Sequence, residues 1–305
     1  MSKQDFYSHG KLLLTGEYVV LDQGKALALP TKFGQSLQVS VATQNYSHWE
    51  SYFYNGDLWH SFDFSMKDIC TANFKAKNAF EARLQELFTF IYAAKPELFQ
   101  YAYNFKTVLE FPQQWGLGSS STLVNNLSQW AEINPYALLK NSFGGSGYDL
   151  AAAQCQTPFF YTRNALTPQV ESASLPDFIK EHIFFIYLNQ KQNSRDAIKH
   201  YKSRNHQLLE EKIKEVSQIS EQIPKVENLE DFEDILRKHE SILAGLLGQK
   251  KVQEKRFSDY TNGLVKSLGA WGGDFVLVTA REANQLSYFK EKGYETILPY
   301  KTMIL

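Results

Sequence analysis

Three glycine-bearing segments hold residue types that can bind a phosphate group and move a proton. The middle segment, PQQWGLGSSST at 112–122, follows an alternating strand pattern and precedes a helical pattern. Glycine lets the backbone approach a ligand closely, and a helix start presents free N–H groups at a positive dipole end. The hydroxyls of Ser119, Ser120 and Ser121 offer hydrogen bonds to phosphate, or oxygen ligands for Mg²⁺. Taken alone, a loop closed by a serine N-cap is the simpler interpretation.

The two flanking segments supply charged side chains. In SHGKLLLTGEYVVL, at 8–21, Lys11 and Glu17 stand around a short apolar run. Taken alone, both are interpreted as surface charges, as most Lys and Glu residues are. In GGSGYDLAAAQ, at 144–154, Asp149 stands at a predicted helix start. Ser146 and Asp149 have the spacing of a capping box, and a carboxylate there is also suited to accept a proton, so both interpretations stay open.

A further glycine cluster, KSLGAWGGDFVLV at 266–278, leads into an apolar strand pattern. It is either a glycine-rich turn or backbone packed close against a bound phosphate chain. Standard nucleotide fingerprints do not explain these segments. Neither Gly10-Lys11 nor Gly24-Lys25 is followed by the Ser or Thr of a Walker A loop, and 116–121 ends in Ser where the dinucleotide fold requires Gly or Ala.

The hydrophobic pattern around these segments predicts strands and helices in both halves of the chain. Apolar residues alternate over 37–41, and Asn55-Gly56 separates two aromatic-rich runs, which indicates a hairpin. Buried-strand runs occupy 183–188 and 275–278. Apolar residues recur at helical spacing in five stretches: 80–91, 119–132, 148–156, 205–223 and 229–247. The proline-containing stretch 164–180 is the predicted linker.

Composition excludes several classes of function. The 305 residues hold 32 Lys and Arg against 33 Asp and Glu, and a net charge of −1 gives no general attraction to nucleic acid or to an anionic membrane. Cys70 and Cys155 are too few for a disulfide framework and fit a reducing compartment. No stretch approaches the roughly 18–20 apolar residues that span a bilayer. We therefore expect a soluble, cytoplasmic protein with no nucleic-acid or membrane partner. The predicted helices at 205–223 and 229–247 can pack within the chain or form a dimer surface, so both a monomer and a homodimer stay open.

Taken together and in this order, the segments resemble the GHMP kinase superfamily, named for galactokinase, homoserine kinase, mevalonate kinase and phosphomevalonate kinase. Its first motif resembles Gly10-Lys11-x-x-x-x-Gly16-Glu17-Tyr18. Its second resembles Pro112-x-x-x-Gly116-Leu117-Gly118-Ser119-Ser120, and its third resembles Lys266-x-x-Gly269-Ala270-x-Gly272-Gly273. The stretch 146–151 resembles the segment that carries the catalytic aspartate. Gly-Glu-Tyr and Gly-Gly-Asp are most similar to phosphomevalonate kinases.

The resemblance implies an α+β, two-domain GHMP kinase fold. Residues 1–165 would form a ribosomal-protein-S5-like N-terminal domain that binds ATP, and residues 175–305 a ferredoxin-like C-terminal domain, with the active site between them. The implied activity is transfer of the ATP γ-phosphoryl group to an alcohol or phosphate acceptor, with mevalonate or phosphomevalonate as the expected acceptor. An ATP-dependent decarboxylase of the same superfamily and a non-catalytic nucleotide-binding relative are the alternatives.

The resemblance also implies roles for the matched residues. Asp149 would accept the proton of the acceptor hydroxyl, and Lys11 would keep that carboxylate ionised. ATP would be bound by Gly116, Leu117, Gly118, Ser119, Ser120 and Ser121, with Ser120 also on Mg²⁺. The acceptor would be bound by Glu17, Tyr18, Ser194, Arg195, Gly272 and Gly273. Ser194 and Arg195, with Lys191, are assigned from charge and position, and a solvated helix start explains them equally well.

This sequence departs from the motifs at four residues and at one acid. Gln114 and Trp115 replace the small residues usual before the Gly-Leu-Gly-Ser-Ser sequence, His9 stands where proline is common, and Trp271 replaces a glycine. We expect the bulky Trp115 and Trp271 to narrow or reshape the nucleotide pocket. Related kinases often have a second acidic Mg²⁺ ligand between the second motif and the aspartate. Glu132 is the acidic residue of that interval here, and it cannot be aligned with such a ligand.

Overall fold

Two β-sheets follow one another along the chain and carry the glycine-bearing segments between them. The computed structural model describes residues 3–190, 201–203, 206–269, 271 and 273–305, and for 206–208 only the helical backbone. The first sheet is built from residues 4–172 and the second from residues 183–299. Both sheets carry helices, so the predicted α+β class is confirmed.

The first sheet has seven strands within the described residues. They are β1 (Gln4–Thr15), β2 (Ala26–Val41), β3 (Ser47–Tyr52), β4 (Leu58–Phe64), β5 (Tyr103–Leu109), β6 (Phe159–Thr162) and β7 (Gln169–Ser172). Their order is β4-β3-β5-β2-β6-β7, and β1 pairs with β2 beside that path. The β3–β5 pair is parallel and the other pairs are antiparallel. The turn at Asn55-Gly56 joins β3 to β4, so the predicted hairpin is confirmed.

Helices of the first half pack on this sheet. They are α1 (Ala79–Ala94), α2 (Ser119–Ala131), α3 (Pro135–Lys140) and α4 (Tyr148–Gln154), and the predicted helices at 80–91, 119–132 and 148–156 are confirmed. The side chain of Asn78 accepts the N–H of Glu81 and so caps α1. Both α2 and α4 pack against β1. The second motif and Asp149 are therefore carried to the strand that holds Lys11.

The connection between the sheets is structured. The stretch predicted as a linker contains β7, which pairs with β6, and the short helix α5 (Asp177–Lys180). Leu175 and Ile179 are buried in the core. Their apolar side chains fix this stretch against the second half of the chain. The division into domains at 1–165 and 175–305 stays a prediction.

The second sheet has four antiparallel strands in the order β11-β8-β10-β9 within the described residues. The strands are β8 (Ile183–Tyr187), β9 (Val265–Ser267), β10 (Phe275–Thr279) and β11 (Ile297–Pro299). The helices are α6 (His206–Gln222), α7 (Leu229–Leu247), α8 (Val252–Arg256), α9 (Ser287–Glu291) and α10 (Tyr300–Met303). The predicted helices at 205–223 and 229–247 are confirmed. Among the described residues, none of the helices has the length and apolar character needed to cross a membrane.

The two halves share hydrophobic cores at the glycine-bearing segments. Leu12 of β1 and Leu117 of the second motif belong to one buried cluster with Phe185 and Phe275 of the second sheet. Tyr18 of the first motif packs in another cluster with Trp271 of the third motif and with side chains of α6 and α7. Burial of these apolar side chains holds the three motifs at the junction of the halves.

Candidate active site

The second motif forms the connection between β5 and α2. A 3-10 turn at Gln113–Trp115 leads into Gly116 and Gly118, both in the left-handed region with φ of 67° and 93°. Gly118 is the N-cap of α2 and no side chain caps the helix, so the interpretation as a serine N-cap is wrong. The first-turn N–H groups of this helix of 13 residues are left for a ligand.

Lys11 lies directly against this connection. Its backbone N–H donates to the Leu117 carbonyl at 3.0 Å, and its Nζ donates to the Gly116 carbonyl at 2.9 Å. The Leu117 side chain is fully buried, so this residue faces the site through its backbone alone. A Cβ on Gly118 would lie 3.4 Å from Lys11 Cε and 3.8 Å from Asp149 Oδ2. The predicted ATP loop, Lys11 and Asp149 therefore meet at one point.

Asp149 reaches this point from the first turn of α4. The N-cap of α4 is Gly147, which is left-handed with φ of 87°, and no side chain caps the helix. The capping-box interpretation of Ser146 is therefore wrong. Burial raises the pKa of Asp149 from its ordinary value, and the Lys11 charge opposes that rise. A carboxylate whose pKa is raised accepts a proton more readily, while the nearby cation favours its ionised form.

The candidate Mg²⁺ ligands of the site are hydroxyl groups in the first turn of α2. Ser120 is exposed in the first turn of α2, whereas Ser121 is buried. Within the described part of the chain, no group of three or more His, Cys, Asp or Glu residues could hold a metal ion. The Ser120 oxygen fits Mg²⁺ if phosphates and water supply the other ligands. Glu132 is the C-cap of α2, about 18 Å from Ser120 by helix rise, and cannot join it.

Asp274 approaches the loop from the second half of the chain. It directly precedes β10, and its carboxylate packs against Gly116 so closely that a Cβ at position 116 would collide with it. The buried Gly273 precedes it. The Gly-Gly-Asp sequence indicated family likeness, but the contact of this acid with the predicted ATP loop depends on the packing of the two halves and was not predicted.

We expect Gly116→Ala to destabilise the protein more than Gly144→Ala. The two glycines have nearly the same φ, 67° and 66°, so alanine costs about 1–2 kcal/mol of backbone strain at each. A Cβ at 144 meets open space, but one at 116 must displace the Asp274 carboxylate. Such overpacking costs about 1–3 kcal/mol more. Urea unfolding of both variants measures the difference, and equal losses would contradict the contact.

The two tryptophans that depart from the motifs pack against hydrophobic cores, Trp271 as a buried side chain and Trp115 as a partly buried one. Trp115 makes edge contacts with Phe33 and Phe275, with ring centroids 5.8 and 5.5 Å apart. The backbone N–H of Trp271 donates to the Tyr18 hydroxyl at 3.1 Å. Both tryptophans thus join the two halves of the chain. Their expected effect on the nucleotide pocket stays a prediction.

Glu17, predicted to contact the acceptor, lies in the interior. It is 2% exposed, and its Oε1 accepts a hydrogen bond from Lys266 Nζ at 2.7 Å. Tyr18 is also buried, with Trp271 as the partner of its hydroxyl. These contacts link the first motif to the third. Direct contact of either residue with an acceptor stays a prediction, and Ser194, Arg195 and Gly272, like Lys191, lie outside the described residues.

Glu17, His239, Glu240 and Lys266 form what we call the buried charge cluster. Lys266 Nζ lies between the two acids, 2.7 Å from Glu17 Oε1 and 3.8 Å from Glu240 Oε1. His239 Nε2 accepts the N–H of Gly16 at 3.1 Å and lies 3.3 Å from Glu17 Oε2, so the proton of the neutral ring is on Nδ1. The cluster ties the turn of the first motif to β9 and α7.

Burial sets the protonation of this cluster. It raises the pKa of Glu240 to about 8, because Lys266 only partly offsets the loss of solvent. Burial also raises the pKa of Glu17, against the direct ion pair with Lys266, and lowers that of His239 well below its ordinary value. At neutral pH, a protonated Glu240 and a neutral His239 leave Lys266 and Glu17 as a balanced pair.

We expect the free energy of unfolding to fall by about 1 kcal/mol between pH 7 and pH 8, and Glu240→Gln to remove that fall. The pKa of Glu240 is raised from 4.5 to about 8, so in this range the folded chain holds a proton that the unfolded chain lacks. Lys266 of β9, Glu17, and Lys251 before α8 are the charged groups that act on it.

His239 contributes little to the change in the free energy of unfolding between pH 7 and pH 8. Its pKa is lowered from 6.5, so from pH 7 upward it is neutral in the folded chain and mostly neutral in the unfolded chain, and its small contribution to the pH dependence has the opposite sign to that of Glu240. Urea unfolding at pH 7 and pH 8 provides the measurement. Glu291→Gln, an exposed change on α9, is the matched control and should keep the wild-type fall. A wild-type slope in the Glu240 variant would place the responsible group elsewhere.

Comparison with known proteins gives a likeness of fold. No protein-family model matches the chain, and no curated protein matches its sequence. Phosphomevalonate kinase from Streptococcus pneumoniae, solved with phosphomevalonate and AMPPNP, has a TM-score of 0.69 at 16% identity, over 96% of this chain and 99% of that one. Mevalonate kinase from Methanococcus jannaschii has a TM-score of 0.67 at 15% identity, over 97% of both chains.

A sugar kinase has the same architecture. Galactokinase from Lactococcus lactis, solved with galactose, has a TM-score of 0.66 at 13% identity, over 97% of this chain and 92% of that one. These similarities extend over nearly the full length of each protein and include both sheets. The chain therefore has the two-domain α+β fold of the GHMP kinase superfamily.

Proposed function

We propose that the protein is an ATP-dependent kinase that transfers the γ-phosphoryl group to a small-molecule acceptor. The observation that carries this proposal is the meeting of Lys11 and Asp149 across Gly118, at the uncapped start of α2. A kinase needs a phosphate-binding backbone, a neutralising cation and a proton acceptor at one place. The fold likeness to three small-molecule kinases supports the same activity.

The loop between β5 and α2 is the proposed ATP-binding element. Backbone N–H groups from 116–121 and the positive end of α2 would bind the phosphates. The carbonyls of Gly116 and Leu117 hold Lys11 at this loop, so its ammonium group can neutralise the charge of the transferred group. Mg²⁺ held by the Ser120 hydroxyl and by phosphate oxygens would add charge neutralisation.

Asp149 is the proposed general base. With an alcohol acceptor such as mevalonate, it removes the hydroxyl proton as the oxygen attacks the γ-phosphorus atom. With phosphomevalonate, the attacking phosphate oxygen is already largely ionised near pH 7, and no hydroxyl proton has to be removed. The new O–P bond forms while the bond between the γ-phosphorus and the β–γ bridging oxygen breaks, and ADP leaves. Burial of Asp149 favours proton uptake, and Lys11 stabilises the negative charge that develops at the attacking oxygen.

Mevalonate and phosphomevalonate are the proposed acceptors. The Gly16-Glu17-Tyr18 sequence and the fold likeness to both corresponding kinases support them. A few pocket side chains decide between such acceptors, and the fold is shared with a kinase solved with galactose. The acceptor is therefore a matter for direct assay.

The test is ADP release from Mg-ATP with mevalonate, phosphomevalonate or galactose offered separately, and product masses determined. We expect turnover with mevalonate or phosphomevalonate, giving a product heavier by one phosphoryl group. Turnover with galactose alone would keep the kinase and replace the acceptor. Release of CO₂ with phosphate would identify a decarboxylase instead. ATP binding without turnover of any acceptor would contradict the kinase and favour a nucleotide-binding protein.

A further inference from the structure

A second concave site lies beside the third motif, in the second half of the chain. Its volume is about 620 Å³, and its walls include Gln249, Lys250, Val252, Lys255, Arg256 and Trp271. We call it the basic cavity. Its volume falls in the range of small-molecule pockets, about 300–1,000 Å³. Trp271 belongs to the third motif, and the other residues of this wall have no part in the proposed phosphate-transfer site.

Three cationic side chains line the basic cavity, and among the residues that the structure describes the nearest opposing charge is Glu254, which interacts with Lys250 through space and pairs with Lys251. Within the ranges that the structure describes, Lys250, Lys255 and Arg256 form no side-chain hydrogen bond or ion pair. Their neighbour Lys251 differs, since it pairs with Glu254 at 2.9 Å. Three like charges around one concavity repel one another and focus a positive potential into it. An anion that enters this cavity relieves that repulsion.

The wall that carries these charges is firmly held. Trp271 is 4% exposed, and its indole N–H donates to the Lys250 carbonyl at 3.1 Å. Val252 is buried and anchors α8, whose last turn holds Lys255 and Arg256. The Trp271 backbone also donates to Tyr18, in the turn after β1. The basic cavity therefore rests on packed residues and adjoins the first motif.

We propose that the basic cavity binds the phosphate or pyrophosphate group of a small molecule. A guanidinium matches phosphate oxygens in a two-pronged geometry, and two ammonium groups add point charges. A phosphate or pyrophosphate group carries more than one negative charge, so it balances three cations better than a carboxylate with a single charge. Two sources share this chemistry, namely the phosphate group of the acceptor and a separate phosphorylated ligand. The first source rests on the proposed kinase function, and the second does not.

The test is calorimetric titration with inorganic pyrophosphate in the presence of Mg-AMPPNP, which keeps the pyrophosphate from the loop at 116–121. The variant K250Q/K255Q/R256Q removes the three cations. The control K67Q/K238Q/K290Q removes three exposed lysines elsewhere and changes the net charge equally. We expect wild type and control to bind pyrophosphate alike, and the cavity variant to bind it at least tenfold more weakly.

Three results would overturn the proposal: no binding by wild type, equal binding by the cavity variant, or equal weakening in both variants. The KM values of the cavity variant show whether the bound phosphate group belongs to the acceptor or to a separate ligand. A KM raised for phosphomevalonate but not for mevalonate identifies the acceptor's own phosphate, and two unchanged KM values identify a separate ligand. Calorimetry measures pyrophosphate binding without catalysis, so it tests the basic cavity even if neither compound is turned over. A failure of the kinase proposal can therefore be distinguished from a failure of the binding proposal.

Discussion

With an alcohol acceptor, Asp149→Asn is expected to lower kcat by about 10²- to 10⁴-fold, the usual contribution of a positioned general base. The asparagine side chain has nearly the same shape but takes up no proton. ATP affinity should change little, because the loop at 116–121 and Lys11 remain in place. The fold should also persist, since burial already disfavours the charged form of this carboxyl group and raises its pKa.

The measurement is steady-state ADP release with the acceptor that wild type accepts, together with urea unfolding and ATP titration. Asp177→Asn is the matched control, because Asp177 also begins a helix but lies at the surface and pairs with Lys180 at 2.8 Å. We expect the control to keep wild-type kcat. If Asp149→Asn turned over at the wild-type rate, Asp149 would not be the base and the proposed mechanism would be wrong.

Much of the candidate site could be predicted from the sequence, because glycines and helical patterns indicate the loop and the two helices that carry it. A strand, a Gly-Ser loop and a helix at 103–132 are all confirmed, and so is the helix that carries Asp149. The two cap interpretations are wrong for one shared reason. Gly118 and Gly147 precede their helices in left-handed conformations, so a glycine occupies each N-cap position for which the sequence pattern favours a serine.

Part of the buried charge cluster could also have been predicted. Phe232, Leu236, Leu243 and Leu246 mark the buried face of α7, and His239 and Glu240 fall on that same face at helical spacing. Polar residues in an apolar stripe indicate buried partners. The partners themselves could not be predicted, because Glu17 and Lys266 are 249 positions apart and meet only through the packing of the two halves.

The sequence is a weaker guide to the acceptor and to the basic cavity. Lys250, Lys255 and Arg256 look like ordinary surface cations, since Lys and Arg are mostly exposed. Their shared cavity depends on Trp271, which comes from a segment more than ten residues away along the chain. Likewise, kinases with the same fold are solved with galactose or with phosphomevalonate. Side chains at the pocket, rather than the fold, select among them.

Lys266→Met is expected to lower the free energy of unfolding by about 3–5 kcal/mol, the cost of leaving a buried ion without its partner. Lys266 is fully buried and is the cation that Glu17 contacts at 2.7 Å. Methionine has a similar length and fills the space, so the loss reports the charge rather than a void. Urea unfolding at pH 7 measures it.

Two further variants separate the charge effect from packing. Lys292→Met removes an exposed lysine that pairs with Asp259 at 3.2 Å, and it should cost at most about 1 kcal/mol. Adding Glu17→Gln to Lys266→Met removes the unpaired carboxylate and should recover part of the lost stability. If the double variant were no more stable than Lys266→Met, packing would account for the loss. Recovery would instead show that the unpaired Glu17 carboxylate causes the loss, and therefore that the buried ion pair between the first motif and the third contributes to the stability of the junction between the two halves.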